Sequence, residues 1–384
     1  MSDQGDVSPR HISHRIITSM DELEQWRDQW DNVEAKRASR SPFSSFLFSQ
    51  CWWKHYAMPN YELRVIMVFD RDVLVGIAPL YLQAAVYKFN VAALHLIGQG
   101  ESENEEVCAE YQDILALEGC ENAVADEVVS ALSQLNGWSK FAAKDLLGDS
   151  LVLKFVMPAL KNLRMSVEIR ETGQRYRIKL PSSWSEYLSG LSQNHRRKIN
   201  VARRRLADHG NGHIGVVESS SELPLAVQAL AELHARRWSA RGLPGVFSSK
   251  RFMGFHQEWT QHLLDRNRLG LTTLTMNRQP IASLYQILDG VTAYYYQSGA
   301  DMEEWGQLSP GRVMLSAAIE RAIEHGYQWF DFMRGGDESY KNNYGCETDA
   351  MFAVAVFRNS AGGNLAKKIS SFKSRVAALA GRIK

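Results

Sequence analysis

The stretch SPGRVMLSAAIERAIEHGYQWFDF, residues 309–332, predicts a helix that leads directly into a strand. Ser309 stands at the N-cap position, Pro310 at the first helical position and Gly326 just past the end, which is where helices favour these residues. The run AYYYQSGAD, residues 293–301, precedes the helix and is β-prone. The order strand, loop, helix, strand predicts an α/β fold with a mixed sheet.

A hairpin is predicted immediately before this unit, and a similar one lies in the first half of the chain. The runs VIMVFDRDVLVGIAPLYL, residues 65–82, and LTTLTMNRQPIASLYQIL, residues 271–288, each consist of an apolar strand, a short polar turn and a second apolar strand. Two strands separated by so short a polar turn are typical of a β-hairpin.

A second pair of similar segments occurs in the chain, and one member precedes each hairpin. IITSMDEL, residues 16–23, and VVESSSEL, residues 216–223, both predict a strand that runs into a capping box, with Ser19 and Ser219 as the N-caps. Because both pairs of similar segments occur in the same order and at a similar separation, they predict a duplicated α/β unit with its boundary near residue 180.

The composition limits the class of protein. The chain has 384 residues, of which 45% are hydrophobic, so two domains with their own cores are expected. With 44 Lys and Arg against 43 Asp and Glu, the net charge of +1 gives no overall field that would hold nucleic acid or a membrane. Any site that uses positive charge must therefore be local.

The four cysteines show no metal-binding or disulfide pattern. Cys51, Cys108, Cys120 and Cys346 form no C-x-x-C pair, which favours reduced thiols and no metal. The polar N-terminus and the absence of a long apolar run predict a cytoplasmic protein. Motifs of phosphate-loop NTPases, serine hydrolases and zinc proteases are missing as well.

The run NHRRKINVARRRL, residues 194–206, contains six Lys or Arg and no acid. At roughly 100° per residue, His195, Ile199, Ala202 and Leu206 share one packing face and the cations occupy the remainder. A solvated surface helix, a nucleic-acid-binding helix and a local phosphate or carboxylate site are all compatible with this pattern. Guanidinium groups suit the third alternative.

Two other segments carry side chains suited to catalysis. LAELHARRWSARGLPGVF, residues 230–247, places His234 and Trp238 one helical turn apart, where a buried core histidine is the alternative to a functional one. In FDFMRGGDESYKNNYGCE, residues 330–347, a strand ends at Asp331 and opens into glycines. Open α/β sheets bind ligands at such strand ends, although the glycines also serve a simple turn.

Together these motifs resemble the GNAT-superfamily acyltransferases of the CelD or BcsL type, named for cellulose biosynthesis, and more distantly the FemABX aminoacyl transferases. The resemblance covers about residues 180–350. It implies tandem GNAT-like domains. The predicted organisation is a disordered N-terminus at 1–13, a degenerate GNAT-like domain at 14–180, a catalytic GNAT-like domain at 181–360 and a basic amphipathic helix at 361–384.

The resemblance implies an acyl thioester donor, acyl-CoA and most simply acetyl-CoA. Its pyrophosphate would be held at the start of the helix by Ser309, Gly311 and Arg312, since a helix N-terminus attracts anions. The superfamily's R/Q-x-x-G-x-G/A loop is not intact here, because Gly311 is the sole glycine of the turn and Pro310 lacks an N–H.

The resemblance also implies roles for the other polar residues. His234 or Asp331 would accept a proton, and Tyr340 would protonate the leaving thiolate. Trp238 and Tyr296 would line the pocket. A phosphorylated precursor, such as a nucleotide- or lipid-linked saccharide, would be bound by these basic residues: Arg196, Arg203, Arg204 and Lys341.

The predicted function is therefore acyl transfer in bacterial polysaccharide or cell-envelope biosynthesis, with no nucleic-acid partner. An accessory protein of GNAT fold without catalysis and a FemABX-like aminoacyl transferase are the alternatives. The last residues place Leu365, Ile369, Phe372, Val376, Leu379 and Ile383 on one stripe, with Lys and Arg elsewhere. Such a helix packs on the protein or binds the inner face of a membrane.

Overall fold

The computed structural model describes residues 11–37, 41–86, 91–239, 242–336 and 340–381. The chain divides into two compact units. The first unit contains the chain up to Gly100, Cys108–Thr172 and the chain from Met351 onward, and the second contains Glu101–Val107 and Gly173–Ala350. The predicted domains, 14–180 and 181–360, are continuous in sequence, whereas each compact unit takes in a segment from beyond these bounds.

The first unit begins with β1 (Ile12–Ile17), so a strand starts two residues inside the segment predicted to be disordered; residues 1–10 lie outside the described part. Its further elements follow in chain order: α1 (Met20–Glu24), α2 (Arg27–Ala35), α3 (Phe46–Tyr56), β2 (Tyr61–Leu63), β3 (Val65–Asp70), β4 (Val73–Ala78), β5 (Leu80–Gln83), β6 (Ala93–Leu96), β7 (Leu115–Ala116), α4 (Glu121–Gln134), β8 (Lys140–Leu147) and, after a π-helical turn, α5 (Met157–Asn162).

The second unit is entered through β9 (Ser166–Lys179), which starts in the first. Its elements are α6 (Trp184–Gly190), α7 (Gln193–His209), β10 (Gly212–Val216), α8 (Leu223–Ser239), α9 (Lys250–Leu264), β11 (Leu269–Met276), β12 (Gln279–Leu288), β13 (Thr292–Ala300), α10 (Met302–Trp305), α11 (Pro310–Glu324) and β14 (Trp329–Gly335). The chain returns through β15 (Glu347–Phe357) to the first unit, where α12 (Ala361–Gly381) ends it.

The two units repeat one topology, which confirms the predicted duplication. The strand order β1-β3-β4-β7 in the first unit matches β10-β11-β12-β13 in the second, and every neighbouring pair in both sets is antiparallel. Each set is followed by one helix, α4 or α11, and then by a strand, β8 or β14. Each of these strands in turn has an antiparallel neighbour, β15 or β9. The fold is a mixed α/β fold built from tandem GNAT-like domains.

The predicted helix starts are mostly confirmed. The hydroxyls of Ser19, Ser183 and Ser192 accept from backbone N–H groups of α1, α6 and α7, and Gly210 ends α7 in the left-handed region. The predicted start at Ser219 is wrong in position, because α8 begins at Leu223. The other half of this predicted capping box is confirmed, because the carboxylate of Glu222 reaches back and accepts from the N–H groups of Glu218 and Ser219.

Helix α11 is the central helix of the second unit's core. It begins at Pro310, as predicted, and its buried face is packed among residues of α7, β11 and β12. Residues of this core include Ile199, Leu274, Ile281, Leu315, Ile319 and Phe330. The prediction that the Ser309 side chain caps α11 is wrong: Ser309 has a φ of 53° and its hydroxyl makes no cap hydrogen bond. Its carbonyl accepts from Arg312 and Val313 instead.

The C-terminal segment is helical, as α12. Its packing face is formed by Gly363 and Ala366, whereas Leu365 of the predicted apolar stripe is 45% exposed. The stripe's side chains from Phe372 onward lie outside the described residues. In the part of the chain that the structure describes, no helix combines the length and the apolar character needed to cross a bilayer.

Candidate functional site

The site is created by two neighbouring strands that pair and then diverge. β13 and β14 run parallel, with Thr292–Tyr294 opposite Trp329–Asp331. Beyond these residues β13 continues to Ala300 against β12, while β14 continues to Gly335 against β9. Since each strand keeps a partner on its outer side, the divergence opens a gap between them without breaking the rest of the sheet.

A cavity of about 1100 Å³ lies along the diverging part of β13, a size that accommodates a substantial small-molecule ligand. Its walls are contributed by β12, β13, the last turn of α8, α10, the start of α11 and the 3₁₀ turn Tyr340–Tyr344. The polar side chains that line it are Arg236, Arg237, Ser283, Tyr295, Ser298, Asp301, Glu303, Glu304, Ser309, Arg312, Tyr340 and Tyr344.

The start of α11 offers a single amide to an anion. Pro310 has no N–H, and the amides of Arg312 and Val313 both donate to the carbonyl of Ser309. Among the described residues, the N–H of Gly311 is the one that remains at this end of the helix. A Cβ built on Gly311 would meet no atom within 4 Å, so the approach to this amide is open.

Arg312 adds a positive charge beside that amide. Its guanidinium lies near the hydroxyl of Tyr344, while its Nε is buried and has no partner among the described residues. Burial raises the pKa of Tyr344 to about 12, with Arg312 acting in the opposite direction. Tyr344 therefore stays protonated at neutral pH. The unsatisfied Nε is the kind of buried donor that a bound anion would complete.

A chain of hydroxyl groups crosses the cavity wall. The hydroxyl of Tyr340 lies near that of Tyr295, which is 2.6 Å from the Oγ of Ser298. Arg237 donates to the same Oγ over 3.4 Å. The exclusion of water around its hydroxyl, followed by the influence of Tyr295, raises the pKa of Tyr340. Tyr340 can therefore act as a proton donor beside the hydrogen bond between Tyr295 and Ser298.

The cavity also carries acidic groups. Asp301, which is buried, accepts from the Nη1 of Arg236 over 2.6 Å and from the N–H of Glu304. Glu303 and Glu304 line the same region from α10. Since Arg236 is partly neutralised by Asp301, Arg237 and Arg312 are the cations best placed to hold an anionic ligand.

Four of the residues predicted for the site come together in this cavity: Ser309, Gly311, Arg312 and Tyr340. The other predicted site residues lie outside this cavity. The three residues predicted to bind a donor, Ser309, Gly311 and Arg312, line it together, although Ser309 contributes through its backbone conformation.

His234 and Trp238 hydrogen-bond to each other on α8, and neither lines the cavity, which argues against the predicted roles of His234 as a proton acceptor and of Trp238 as a pocket residue. The Nε1–H of Trp238 donates to the Nε2 of His234 over 2.8 Å, and His234 packs edge-on against Phe247. Burial, with a smaller effect of Arg237, lowers the pKa of His234 to about 4. Its accepting nitrogen is already used by Trp238 and it does not line the cavity, so this geometry argues against a proton acceptor.

Asp331 is also a structural residue. It is fully buried, its Oδ2 lies 2.6 Å from both Nε and Nη2 of Arg175, and its Oδ1 accepts from the N–H of Met333. These contacts hold β9 against β14 at the point where their register shifts. The carboxylate is not presented to the cavity, which argues against the predicted role in proton transfer.

Lys341 closes the end of β14 instead of binding a phosphate. Its Nζ donates to the carbonyls of Phe332, Met333 and Arg334, at 2.7, 3.3 and 2.5 Å. An ammonium group has three N–H bonds, and these three carbonyls match them. Lys341 is buried, so the predicted anion contact is not supported by its position.

Tyr296 lies on the opposite face of β13 from its neighbour Tyr295. Its hydroxyl donates to the carbonyl of Val107 and lies 3.2 Å from the Nε2 of His256. The side chains of a strand alternate between its two faces, so the choice of Tyr296 as a pocket residue was wrong by one position. Tyr295 is the residue that lines the cavity.

The basic residues of α7 are not in this cavity. Arg196 donates over long distances to the carbonyls of Leu188 and Ser189 at the end of α6. Arg203 pairs with Glu320 of α11, while Arg204 is exposed. Arg203 and Arg204 line a second, smaller cavity.

Sequence reasoning missed several residues of the site. Arg236 and Arg237 belong to the motif LHARRW, beside the histidine and the tryptophan that were predicted for the site. Asp301 ends the run AYYYQSGAD, and its position before α10 was a signal for an N-cap. Tyr295 faces the cavity because neighbouring side chains of a strand alternate between its two faces, and Tyr296 faces the other way.

The chain resembles known proteins in part of its sequence and in its fold. Residues 193–342 match the model of the acetyltransferase (GNAT) domain. This stretch includes α7, the diverging strands, α11 and the 3₁₀ turn with Tyr340. The match supports an acyltransferase whose GNAT acetyltransferase domain spans these residues.

Solved structures with a similar fold extend over nearly the whole chain. FemX shares 12% identity and covers 85% of this chain and 95% of its own, with a TM-score of 0.59. The C-terminal domain of a putative lysylphosphatidylglycerol synthetase from Agrobacterium fabrum shares 11% identity and covers 91% and 96%, with a TM-score of 0.51. L-PGS from Bacillus licheniformis shares 10% identity and covers 88% and 94%, also with a TM-score of 0.51. At these identities the likeness concerns the fold. No curated protein sequence matches the chain significantly.

Proposed function

We propose that the protein transfers an acyl group from acyl-CoA, most simply acetyl-CoA, to an amine or hydroxyl acceptor in the cavity beside the diverging part of β13. The observation that carries this proposal is the position of the α11 start, with Gly311 and Arg312, at the wall of this cavity, where β13 diverges from β14. A helix N-terminus and a guanidinium group together favour a phosphate-bearing ligand.

The residues present fit such a donor, although side chains supply more of the hydrogen-bond donors than backbone amides do. Gly311 supplies one amide, and the unsatisfied Nε of Arg312 and the guanidinium of Arg237 supply further donors. Charged side chains thus replace part of the backbone cradle. Apolar residues of the same cavity, including Leu284, Met314 and Leu315, provide surface for the uncharged part of the donor.

The chemistry assigned to the side chains is proton transfer and orientation. The acceptor amine or hydroxyl attacks the thioester carbonyl and gives up its proton to water, the C–S bond breaks as the intermediate collapses, and the thiolate takes a proton. Tyr340 is the proposed source of that proton, since its raised pKa keeps it protonated and the neighbouring hydroxyls of Tyr295 and Ser298 can replenish it. Glu303 and Glu304 are the acids of the cavity that can orient an acceptor amine.

Thermal unfolding with acetyl-CoA, longer acyl-CoAs and free CoA tests the donor. A ligand at 100 times its Kd adds about 2.7 kcal/mol to the free energy of unfolding. We expect the shift to disappear in Gly311→Trp and to fall in Arg312→Ala. Arg321→Ala, an exposed residue of the same helix, is the matched control and should behave like the unmodified protein. No shift with any CoA compound would overturn acyl-CoA as donor.

A second candidate is aminoacyl transfer from an aminoacyl-tRNA, the FemABX-like alternative. The single free amide at the start of α11 favours it, because a CoA pyrophosphate is usually held by several amides. Glu303 and Glu304 also offer partners for the ammonium group of an aminoacyl donor. Transfer of a radiolabelled amino acid from charged tRNA, with no thermal shift by CoA compounds, would establish this candidate over the first.

The acceptor and the pathway are proposals that rest on the family resemblance. We retain a nucleotide- or lipid-linked saccharide as acceptor and a role in polysaccharide or cell-envelope assembly of the CelD or BcsL type. A cytoplasmic location, with α12 at the inner face of the membrane, is proposed from the cations of its sequence and from the exposure of Leu365. Acceptor screening with UDP-sugars and lipid-linked precursors, by release of free thiol, tests this part.

A further inference from the structure

A second cavity lies on the other side of α11 from the proposed active site. Its volume is about 660 Å³, within the usual range for small-ligand sites. Val313 and Ala317, one turn apart, face it from α11, whereas Gly311, Met314 and Leu315 face the first cavity. The helix therefore forms a wall between two separate spaces.

The lining of this second cavity combines cations with an apolar wall. Its residues are Arg203, Arg204, Leu206, Ala207, Gly210, Gly212, His213, Ile214, Val313 and Ala317. No carboxylate is among these described lining residues, and the apolar side chains come from α7, β10 and α11. A sugar ring needs several hydrogen-bonding side chains around it, and the aliphatic part of this wall has none to offer.

The two arginines differ in how firmly they are held. Arg203 pairs with Glu320 over 2.5 Å, and its guanidinium lies 5.3 Å from the ring centre of Trp184. A guanidinium carries five N–H donors, so the pair leaves several of them available. Arg204 is exposed, which leaves its head group accessible to a ligand. One fixed and one accessible guanidinium make a suitable receptor for a single anionic group.

We propose that this cavity binds an anionic amphiphile, with a phosphate or carboxylate head at Arg203 and Arg204 and an aliphatic chain against Leu206, Val313 and Ala317. The site is separate from the acyl-transfer cavity, and it gives the basic helix α7 a ligand that the proposed reaction does not use. Glu320 is the acid paired with Arg203, and this pairing limits its repulsion of an anion.

Calorimetric titration of the full-length protein with octyl phosphate and with octanoate tests the proposal. We expect Arg204→Ala to weaken binding at least tenfold and Ala317→Phe, which fills the apolar wall, to abolish it. Arg197→Ala is the matched control, since Arg197 is an exposed cation of the same helix that does not line the cavity. It should change affinity less than twofold. Thermal unfolding of each variant verifies that it is folded.

Two results would overturn the proposal. One is the absence of binding by both amphiphiles. The other is an equal loss in Arg197→Ala and Arg204→Ala, which would mean that the helix attracts anions through its general charge. Sedimentation with phosphatidylglycerol and phosphatidylcholine vesicles then identifies the source of the ligand. Binding to the anionic vesicles that is lost in Arg204→Ala points to a membrane lipid, and binding of the soluble amphiphiles alone points to a free one.

Discussion

Arg175 and Asp331 form a buried ion pair in which two guanidinium nitrogens, Nε and Nη2, each lie 2.6 Å from one carboxylate oxygen. The pair joins β9 to β14 beside the point where β14 leaves β13. A charge that is buried without its partner is costly, so removal of one member costs more than removal of both. The pair therefore supports the diverging strand on the side away from the cavity.

We expect Asp331→Asn to lower the free energy of unfolding by about 3–5 kcal/mol, since Arg175 would be left buried without its counter-charge. Urea denaturation measures the loss. The double variant Arg175→Met with Asp331→Leu should recover part of it. Turnover per folded molecule should stay near that of the unmodified protein. A stable Asp331→Asn variant with a turnover reduced by orders of magnitude would restore the catalytic role predicted from the sequence.

Lys341 gives a second stability prediction. Lys341→Met keeps most of the aliphatic stem but leaves the carbonyls of Phe332, Met333 and Arg334 without their shared donor. We expect a loss of about 3 kcal/mol or more in urea denaturation, because hydrogen bonds from a charged group are worth more than neutral ones. Lys368→Met, an exposed change on α12, is the control. An equal stability of the two variants would show that Lys341 does not hold the end of β14.

These residues show what the sequence could and could not predict. The duplication, the hairpins and α11 depend on local periodicity and caps, and these can be recognised from the order of residues along the chain alone. The roles of Asp331, Lys341 and His234 depend on which partner each side chain meets, and those partners come from β9, from the backbone of β14 and from one turn further along α8. Polar residues near a glycine-rich strand end were therefore assigned to catalysis although their hydrogen bonds are satisfied within the fold.

Substitution of two tyrosines of the same turn tests the proposed role of Tyr340 as the acid. Tyr340→Phe should reduce kcat about 100-fold or more through loss of the proton donor, with little change in stability because this side chain is 45% exposed. Tyr344→Phe removes the hydroxyl that Arg312 contacts and should raise the KM for the donor more than it lowers kcat. Steady-state kinetics with acetyl-CoA separates the two effects. Equal losses of kcat would contradict the assignment of Tyr340.

The lowered pKa of His234 makes the stability of the fold depend on pH. Its pKa is lowered from 6.5 to about 4 in the folded protein, so the unfolded chain binds a proton more readily than the native state between these values. The contribution of His234 is present above about pH 6.5 and is lost as the pH falls towards 4, by about 3 kcal/mol in full. Denaturation of His234→Gln between pH 7 and 4 should show a smaller acid loss than the unmodified protein. His95, whose pKa is also lowered to about 4, is common to both proteins and cancels in the difference.

Gly299 fixes the distance between β13 and α8, and with it the placement of two cavity arginines. A Cβ at this position would lie 2.4 Å from the backbone nitrogen of His234 and 2.5 Å from the carbonyl carbon of Leu233. Backbone atoms cannot move aside as a side chain can, so Gly299→Ala must shift the helix that carries Arg236 and Arg237. Overpacking of this kind costs about 1–3 kcal/mol.

We therefore expect Gly299→Ala to lower the thermal midpoint and to weaken the binding of the acyl donor at a temperature where the variant is still folded. Gly190→Ala is the matched control, because a Cβ at Gly190 would meet nothing within 4 Å. If Gly299→Ala lost stability but bound the donor normally, the arginines of α8 would not contribute to the donor site. Binding would then depend on Gly311 and Arg312.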